Sequence, residues 1–239
     1  MQQPIPYRRI LLKLSGESLM GSQKFGIDQQ ACQRIALAIK TLQMHQVQVA
    51  LVIGAGNIFR GIQARALGID RTPSDQMGML GTLINGVCFE QALKSQGCPA
   101  RVLSALHCPQ VAESYTWRAA MEYLEKGEVL IFAGGTGHPY FTTDTAAALR
   151  ASEIKADLLI KATKVDGIYD KDPFKHADAK KYDTLTYEQV LAQKLEVMDA
   201  TSIALCMSSK VPVFVFNMQN FNQHAIVDTL LQQKGTIVR

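Results

Sequence analysis

The chain predicts an α/β fold, a three-layer α/β/α sandwich around a mostly parallel sheet. Three observations carry that reading. Short apolar runs without polar alternation, over residues 9–14, 48–53 and 211–216, read as strands buried on both faces. Helix-patterned stretches alternate with strands from end to end, the order that lays helices on both faces of a sheet. Nearly every strand runs into a turn rich in glycine, threonine or aspartate, and ligands of such sheets sit beyond the carboxyl ends of strands.

The elements follow in order. A strand over 9–14 enters Lys13-Leu14-Ser15-Gly16-Glu17, and Asp28 suits the N-cap of a helix carrying Ile35, Leu37, Ile39 and Leu42. A strand over 48–53 meets Gly54-Ala55-Gly56-Asn57. Pro73-Ser74-Asp75 starts a long helix over 77–95 that Gly97 closes. A strand over 100–104, a helix over 117–125 and a strand over 128–133 lead to a glycine-threonine turn and a helix over 145–154. A strand over 157–161 precedes a polar, proline-containing surface excursion over 170–183. Helices over 186–193 and 202–209, a strand over 211–216, a helix over 223–231 and a strand over 236–238 complete the series. No linker, repeat or low-complexity tract divides it, so one domain over 1–239 is expected.

With 239 residues the chain can bury a sizeable core. Its net charge of +4 comes from scattered residues, 25 basic against 21 acidic, which speaks against a nucleic-acid partner. The first nine residues lack the apolar segment of a signal peptide, and no stretch reaches the ~18 apolar residues of a membrane span. A cytoplasmic protein without a membrane partner is expected. The five cysteines form no C-x-x-C pair, and no histidine stands at zinc spacing from them. Cys32, Cys88 and Cys206 lie among helix-patterned apolar residues and read as buried, reduced thiols.

The most informative stretch is 133–144, Ala-Gly-Gly-Thr-Gly-His-Pro-Tyr-Phe-Thr-Thr-Asp. Glycine lets backbone come close to a ligand, and threonine hydroxyls with free N–H groups at a helix start suit a phosphate. With the turns at 13–17 and 54–57 there are three phosphate-competent turns, more than one nucleotide needs. Two phosphorylated substrates and a transfer between them are implied. The string G-x-x-x-x-G-K-[ST] is absent, and Phe59 stands where G-x-G-x-x-G needs glycine, so a P-loop and a dinucleotide fold are set aside.

These turns, together with Phe59-Arg60-Gly61, the segment 75–80, the segment 161–172 and Val197-Met198-Asp199, resemble the amino acid kinase family. Within it they are similar to the bacterial uridylate (UMP) kinases. The resemblance spans nearly the whole chain and implies the amino acid kinase fold. It implies transfer of the ATP γ-phosphate to UMP, giving UDP and ADP with Mg²⁺, in pyrimidine nucleotide synthesis. Under it, Lys13, Leu14, Ser15, Gly16, Gly56, Arg60, Thr163, Tyr169 and Asp172 contact ATP. Ala55, Asp75, Thr136, Gly137, His138, Pro139, Tyr140, Phe141, Thr142 and Thr143 contact UMP. Lys13 and Lys161 carry transition-state charge, while Asp144 and Asp199 bind Mg²⁺ or orient the lysines. Gly21, Ser22, Gln23, Lys24, Phe25 and Gly26 match a segment tied to activation by GTP. A homohexamer and inhibition by UTP are implied as well, with the helix faces at 80–84 and Cys88-Phe89 available for subunit contact or for the core.

Local chemistry reads several of these residues in two ways. Lys13 inside an apolar run needs a polar destination. Asp75 is by itself an N-cap, Asp172-Pro173 a turn start, Arg60 a surface arginine and the 21–26 segment a glycine-bounded surface turn. Ala55 replaces a glycine usual in the family, which backbone contact tolerates where φ is negative. His138 stands where the family usually has asparagine. The rival readings are a sister kinase acting on a carboxylate or carbamate and a nucleotide-binding regulator without turnover. The regulator would lack the charged set Lys13, Arg60, Asp144, Lys161 and Asp199, all of which are present.

Overall fold

The strand β1 (Arg9–Leu14) occupies the middle of a nine-stranded sheet, parallel to β2 (Gln48–Ile53) on one side and β6 (Leu158–Thr163) on the other. The structure is a computed structural model that describes residues 4–61 and 66–239; residues 1–3 of the N-terminal stretch lie outside them. Beyond β2 come β5 (Val129–Ala133), β3 (Ala100–Ser104) and the short β4 (Glu113–Ser114). Beyond β6 come β10 (Val213–Asn217), β11 (Thr236–Val238) and β9 (Thr184–Leu185). The β10–β11 pair is antiparallel and the other pairs of this sheet are parallel. At the two ends of the polar excursion, β7 (Ile168–Tyr169) and β8 (Lys181–Tyr182) form a separate antiparallel pair.

Continuous apolar runs work here because the sheet is covered on both sides. Along β1, Ile10, Leu12 and Leu14 join one core and Leu11 the other, all of them without solvent exposure. The first core takes Ile35 and Ile39 of α1 (Gln29–Met44), Phe89 and Leu93 of α2 (Arg71–Ser95), and Ile226 and Leu230 of α7 (Ile226–Leu231). The second takes Leu124 of α3 (Trp117–Glu125), Ala147 and Ala151 of α4 (Thr143–Glu153), Val190 of α5 (Tyr187–Ala192), and Ile203 and Cys206 of α6 (Ala200–Ser209). Small residues on α4 bring it close to the strands, so its first turn reaches the sheet edge. Among the described residues no helix is long and apolar enough to cross a membrane.

The α/β sandwich expected from the sequence is present, with boundary differences that have local causes. The long helix begins at Arg71, six residues before the expected start, with Asp70 in the cap position. Pro73 then lies in the first turn, where its missing N–H would have no partner anyway. Asp75 therefore belongs to the second turn and is not the N-cap. The last helix starts at Ile226, because Asn222 Oδ1 accepts from the amides of His224 and Ala225 and holds that segment as a turn. Strands β4 and β9 are two residues long, too short to show a period. On α2, Phe89 faces the core while Leu80 and Ile84 are half exposed, and Cys88 is only partly buried.

Close approach of two turns explains one glycine. A methyl on Gly16 would lie 2.5 Å from the Gly54 carbonyl oxygen and closer still to Asn57 Oδ1. Gly16→Ala is expected to destabilise the protein by about 1–3 kcal/mol, as overpacking of a tight contact does. Urea unfolding should show a lower midpoint with an unchanged slope.

Candidate active site

The register of the central strands creates the site. Lys13 of β1 and Lys161 of β6 are direct cross-strand neighbours on the face toward α4, with side chains 12% and 17% exposed. Like charges in that position repel. Asp144, in the first turn of α4, enters between them: Lys13 Nζ lies 2.5 Å from Oδ1 and Lys161 Nζ 2.8 Å from Oδ2. Lys161 also donates to the Val197 carbonyl. Burial alone would raise the pKa of Asp144, but the two ammonium groups outweigh it and hold it below the ordinary carboxylate value. Burial lowers the pKa of Lys161 against the opposing pull of Asp144.

The start of α4 is fixed from outside. Thr142 is its N-cap, and its hydroxyl oxygen accepts from the amides of Asp144 (3.0 Å) and Thr145 (3.3 Å) while donating to Asp199. Asp199 is in turn the N-cap of α6, accepting from the Ser202 amide at 2.8 Å, and it receives the Thr145 hydroxyl at 3.0 Å. Burial would raise its pKa; these hydrogen bonds lower it below the ordinary value. The two carboxylates that the sequence left interchangeable thus have different surroundings. Asp144 lies between the lysines, and Asp199 ties together two helix starts.

The glycine-threonine turn is held against α2. The Gly134 amide donates to the Thr82 hydroxyl at 2.8 Å, and a methyl on Gly134 (φ +78°) would lie 2.9 Å from the Leu106 nitrogen. The Thr136 hydroxyl bridges the amide and carbonyl of His138, so His138 joins the turn through its backbone. Tyr140 has φ 73°, a conformation that costs a non-glycine residue about 1–3 kcal/mol. Asp75 Oδ2 accepts its amide at 2.7 Å, Arg71 donates to its carbonyl at 3.4 Å, and the Arg71 guanidinium covers its ring. Ala55, Gly56, Asp75 and Met79 line a pocket of about 190 Å³ together with Gly135, Phe141, Thr142 and Thr143 of this turn, while the expected contacts 136–140 lie outside its lining. Ala55 is outside the positive-φ residues, and its methyl leans on α2 where Gly81 leaves room: a Cβ at Gly81 would be 2.8 Å away.

A larger cleft of about 650 Å³ is lined by Lys161, Thr163, Tyr169, Asp172, Phe174 and Val215 among others. Tyr169 donates to Asp166 at 2.6 Å, which pushes its own pKa up to about 12. Asp172 Oδ1 accepts the Phe174 amide at 2.9 Å, the turn its Asp-Pro sequence indicates. Ser15 caps the 3₁₀ turn that carries Gly16, accepting the Glu17 amide at 3.3 Å. Arg60 is half exposed and pairs with Glu17 at 2.8 Å. The 21–26 segment forms turns and bends without strands, anchored where the Gly26 amide donates to the Asn57 carbonyl at 2.9 Å.

Several contributors had weak signals in the sequence. Asn57 and Asn85, both buried, exchange amide hydrogen bonds at 2.9 and 2.7 Å; Asn57 also donates to the Gly26 carbonyl and Asn85 to the Gly54 carbonyl. The one clue was a polar residue inside the apolar run 83–87. Thr82 falls inside the expected helix and Arg71 ahead of it, and neither carries a local signal of its role. Among the described residues no three His, Cys, Asp or Glu side chains converge as a metal cage. Both oxygens of Asp144 already face ammonium groups, so its surroundings fit lysine orientation and do not fit a resident cation.

Glycine-rich turns at the carboxyl ends of parallel strands, gathered on a buried lysine pair, define a site built for phosphate groups. Residues 8–217 match the amino acid kinase family, and the chain belongs to that family. It is 58% identical over 232 residues to a uridylate kinase of Protochlamydia amoebophila, covering 97% of this chain and 92% of that relative. Identity to a uridylate kinase of Xanthomonas oryzae pv. oryzae is 52% over 237 residues, covering 98% of both. The fold is similar to that of the UMP kinase from Bacillus anthracis, with a TM-score of 0.93 at 34% identity, covering 99% of this chain and 97% of the other. Similarity to the UMP kinase from Ureaplasma parvum gives a TM-score of 0.90 at 37% identity over 100% and 99% of the two chains.

Because the folded pKa of Asp144 is depressed, its ionisation contributes stability above the ordinary carboxylate range, and that contribution is lost as pH falls through the folded value. Lys161 has a depressed folded pKa as well, because burial favours its neutral form, so its contribution also rises with pH, in a higher window just below the ordinary lysine value. Asp144→Asn removes the charge that raises the Lys161 pKa and leaves the repulsion from Lys13. A further fall in the Lys161 pKa is expected, read by NMR titration of its ε-carbon. An unchanged or higher value would mean that Asp144 does not set the lysine's charge.

Proposed function

We propose that this protein is a nucleoside monophosphate kinase that transfers the γ-phosphate of ATP to UMP, giving UDP and ADP. One observation carries the reading: a small pocket is lined by Thr142 and Thr143, next to Asp144 in the chain, and a larger cleft is lined by Lys161, which Asp144 holds. The kinase class rests on the family match and on relatives at 58% and 52% identity. Phosphoryl transfer needs positioning and charge neutralisation more than covalent protein chemistry. Lys13 and Lys161 supply that charge: Asp144 offsets one of the two ammonium groups and holds both in place, which leaves one positive charge for the arriving phosphate.

In this assignment UMP occupies the pocket, with its phosphate on the backbone amides at the start of α4 and its ribose hydroxyls donating to Asp75. ATP occupies the cleft, with its base and ribose near Tyr169 and Asp172 and its phosphates over Ser15, Gly16 and Gly56. Mg²⁺ bound with the nucleotide would supply shielding of phosphate charge, since Asp144 and Asp199 are engaged with protein partners. UDP formation places the enzyme in cytoplasmic pyrimidine nucleotide synthesis. The resemblance further supports a homohexamer, activation by GTP through the 21–26 turn and inhibition by UTP.

ADP release from MgATP with UMP, CMP, dUMP and dTMP tests the assignment. Turnover on UMP is expected, whereas consumption of acetylglutamate or carbamate in its place would overturn it. Lys13→Ala should lower turnover by at least about 100-fold, the scale of losing one preorganised charge contact. Its UMP dissociation constant should stay within about threefold, since the contact is made in the transition state. Asp75→Asn should instead weaken UMP binding by about tenfold, the scale of a charged hydrogen bond, and leave ATP binding near normal. Weakened ATP binding alone would reassign Asp75.

A further inference from the structure

Glu17, one residue past Gly16, holds two cations that come from the turns of two other strands. Arg60 Nη2 lies 2.8 Å from its Oε1, and Lys164 Nζ lies 3.1 Å from its Oε2. Arg60 belongs to the turn after β2, beside the small pocket, and its Nε also donates to the Gly56 carbonyl at 3.0 Å. Lys164 follows directly on β6, between the cleft-lining Thr163 and Val165, and its carbonyl is held by the Asn217 amide at 3.1 Å. One carboxylate therefore ties the two sides of the site together across its mouth. Folding does not demand this: the Lys164 side chain is 83% exposed and that of Arg60 50%, so water would solvate either cation alone.

We propose that Arg60 and Lys164 form a two-cation phosphate site and that Glu17 is its built-in occupant, displaced by the polyphosphate of the bound nucleotide. A guanidinium and an ammonium converging on two oxygens of one anion is an arrangement that phosphate also takes, with more charge and more acceptors. Glu17 keeps the two cations in place in the free protein and competes with anions too weakly charged to displace it. It is a positioning residue, and Lys164 is a phosphate contact outside the set that the sequence motifs indicate. The inference rests on the kinase reading for the source of the phosphates. Its consequence has a definite sign: removing a negative charge at Glu17 strengthens anion binding, whereas a carboxylate that only braces the two cations would weaken it when removed.

Calorimetric titration of the full chain with inorganic tripolyphosphate distinguishes the two. Glu17→Gln is expected to bind it about three- to tenfold more tightly, the factor that two surface ion pairs of ordinary strength account for. Its affinity should also fall more steeply with added salt. Lys164→Met in the Glu17→Gln background should remove most of the gain. Equal or weaker binding by Glu17→Gln, with an unchanged unfolding midpoint, would overturn the proposal. ADP release with UMP is measured on the wild-type chain in parallel. No turnover there removes the UMP assignment and leaves the tripolyphosphate comparison readable, while turnover without a gain in Glu17→Gln removes only the role given to Glu17.

Discussion

Two lysines side by side on adjacent strands are the constraint around which this site is organised. The pairing of Lys13 with Lys161 follows from the register of β1 and β6, so it cannot be relieved without shifting the central strands. A one-residue slip would turn every alternate side chain to the opposite core. The repulsion must be met by an anion, and Asp144 meets it with one oxygen for each lysine. That solution fixes where α4 begins, because the carboxylate sits in its first turn. It also explains the linkage to α6: Asp199 accepts from Thr142 and Thr145 and holds the same turn from the far side. Removing one member of such a partly buried group leaves the others uncompensated, which costs more than the pairing gains.

A second, uncharged constraint sets the other wall. The amide groups of Asn57 and Asn85 use all four of their hydrogens, two on each other and two on the Gly26 and Gly54 carbonyls. A buried polar network that is fully satisfied holds a single geometry, whereas a partly satisfied one is costly. This network joins the turn after β2 to α2 and to the 21–26 segment, and Gly16 packs against it without room for a methyl. The backbone of these turns is therefore placed by buried side-chain amides.

These two constraints mark what was legible in the sequence. The longer strands and their succession along the chain were, because residues 10–12, 49–53 and 129–133 are continuously apolar and lead into glycine or small-residue turns. Lys13 was legible as a charge needing a destination, but its partner was not, since cross-strand register has no local signature. The sequence alone makes Asp75 a helix cap because Pro73 marks a helix boundary, whereas proline is equally at home inside a first turn, where the structure has it. Asn85 and Thr82 carried little signal: each is one polar residue in a helix, and only the fold shows that a backbone group waits opposite. The short edge strands β4 and β9 escaped because two residues cannot display a period.

Asp75 braces the glycine-threonine turn and at the same time lines the small pocket. Its Oδ2 accepts the Tyr140 amide at 2.7 Å and faces Arg71 at 3.5 Å, and both contacts fall on the same oxygen. That bond helps hold Tyr140 in its left-handed conformation, which turns the chain between Pro139 and Phe141 toward the pocket. A carboxylate has acceptor capacity on two oxygens, so Oδ1 can receive a sugar hydroxyl without releasing the turn. An N-cap at this position would have spent the carboxylate on its own helix. With the helix starting a turn earlier, Asp75 reaches across to the loop, and the strain at Tyr140 and the acceptor in the pocket are set by the same residue.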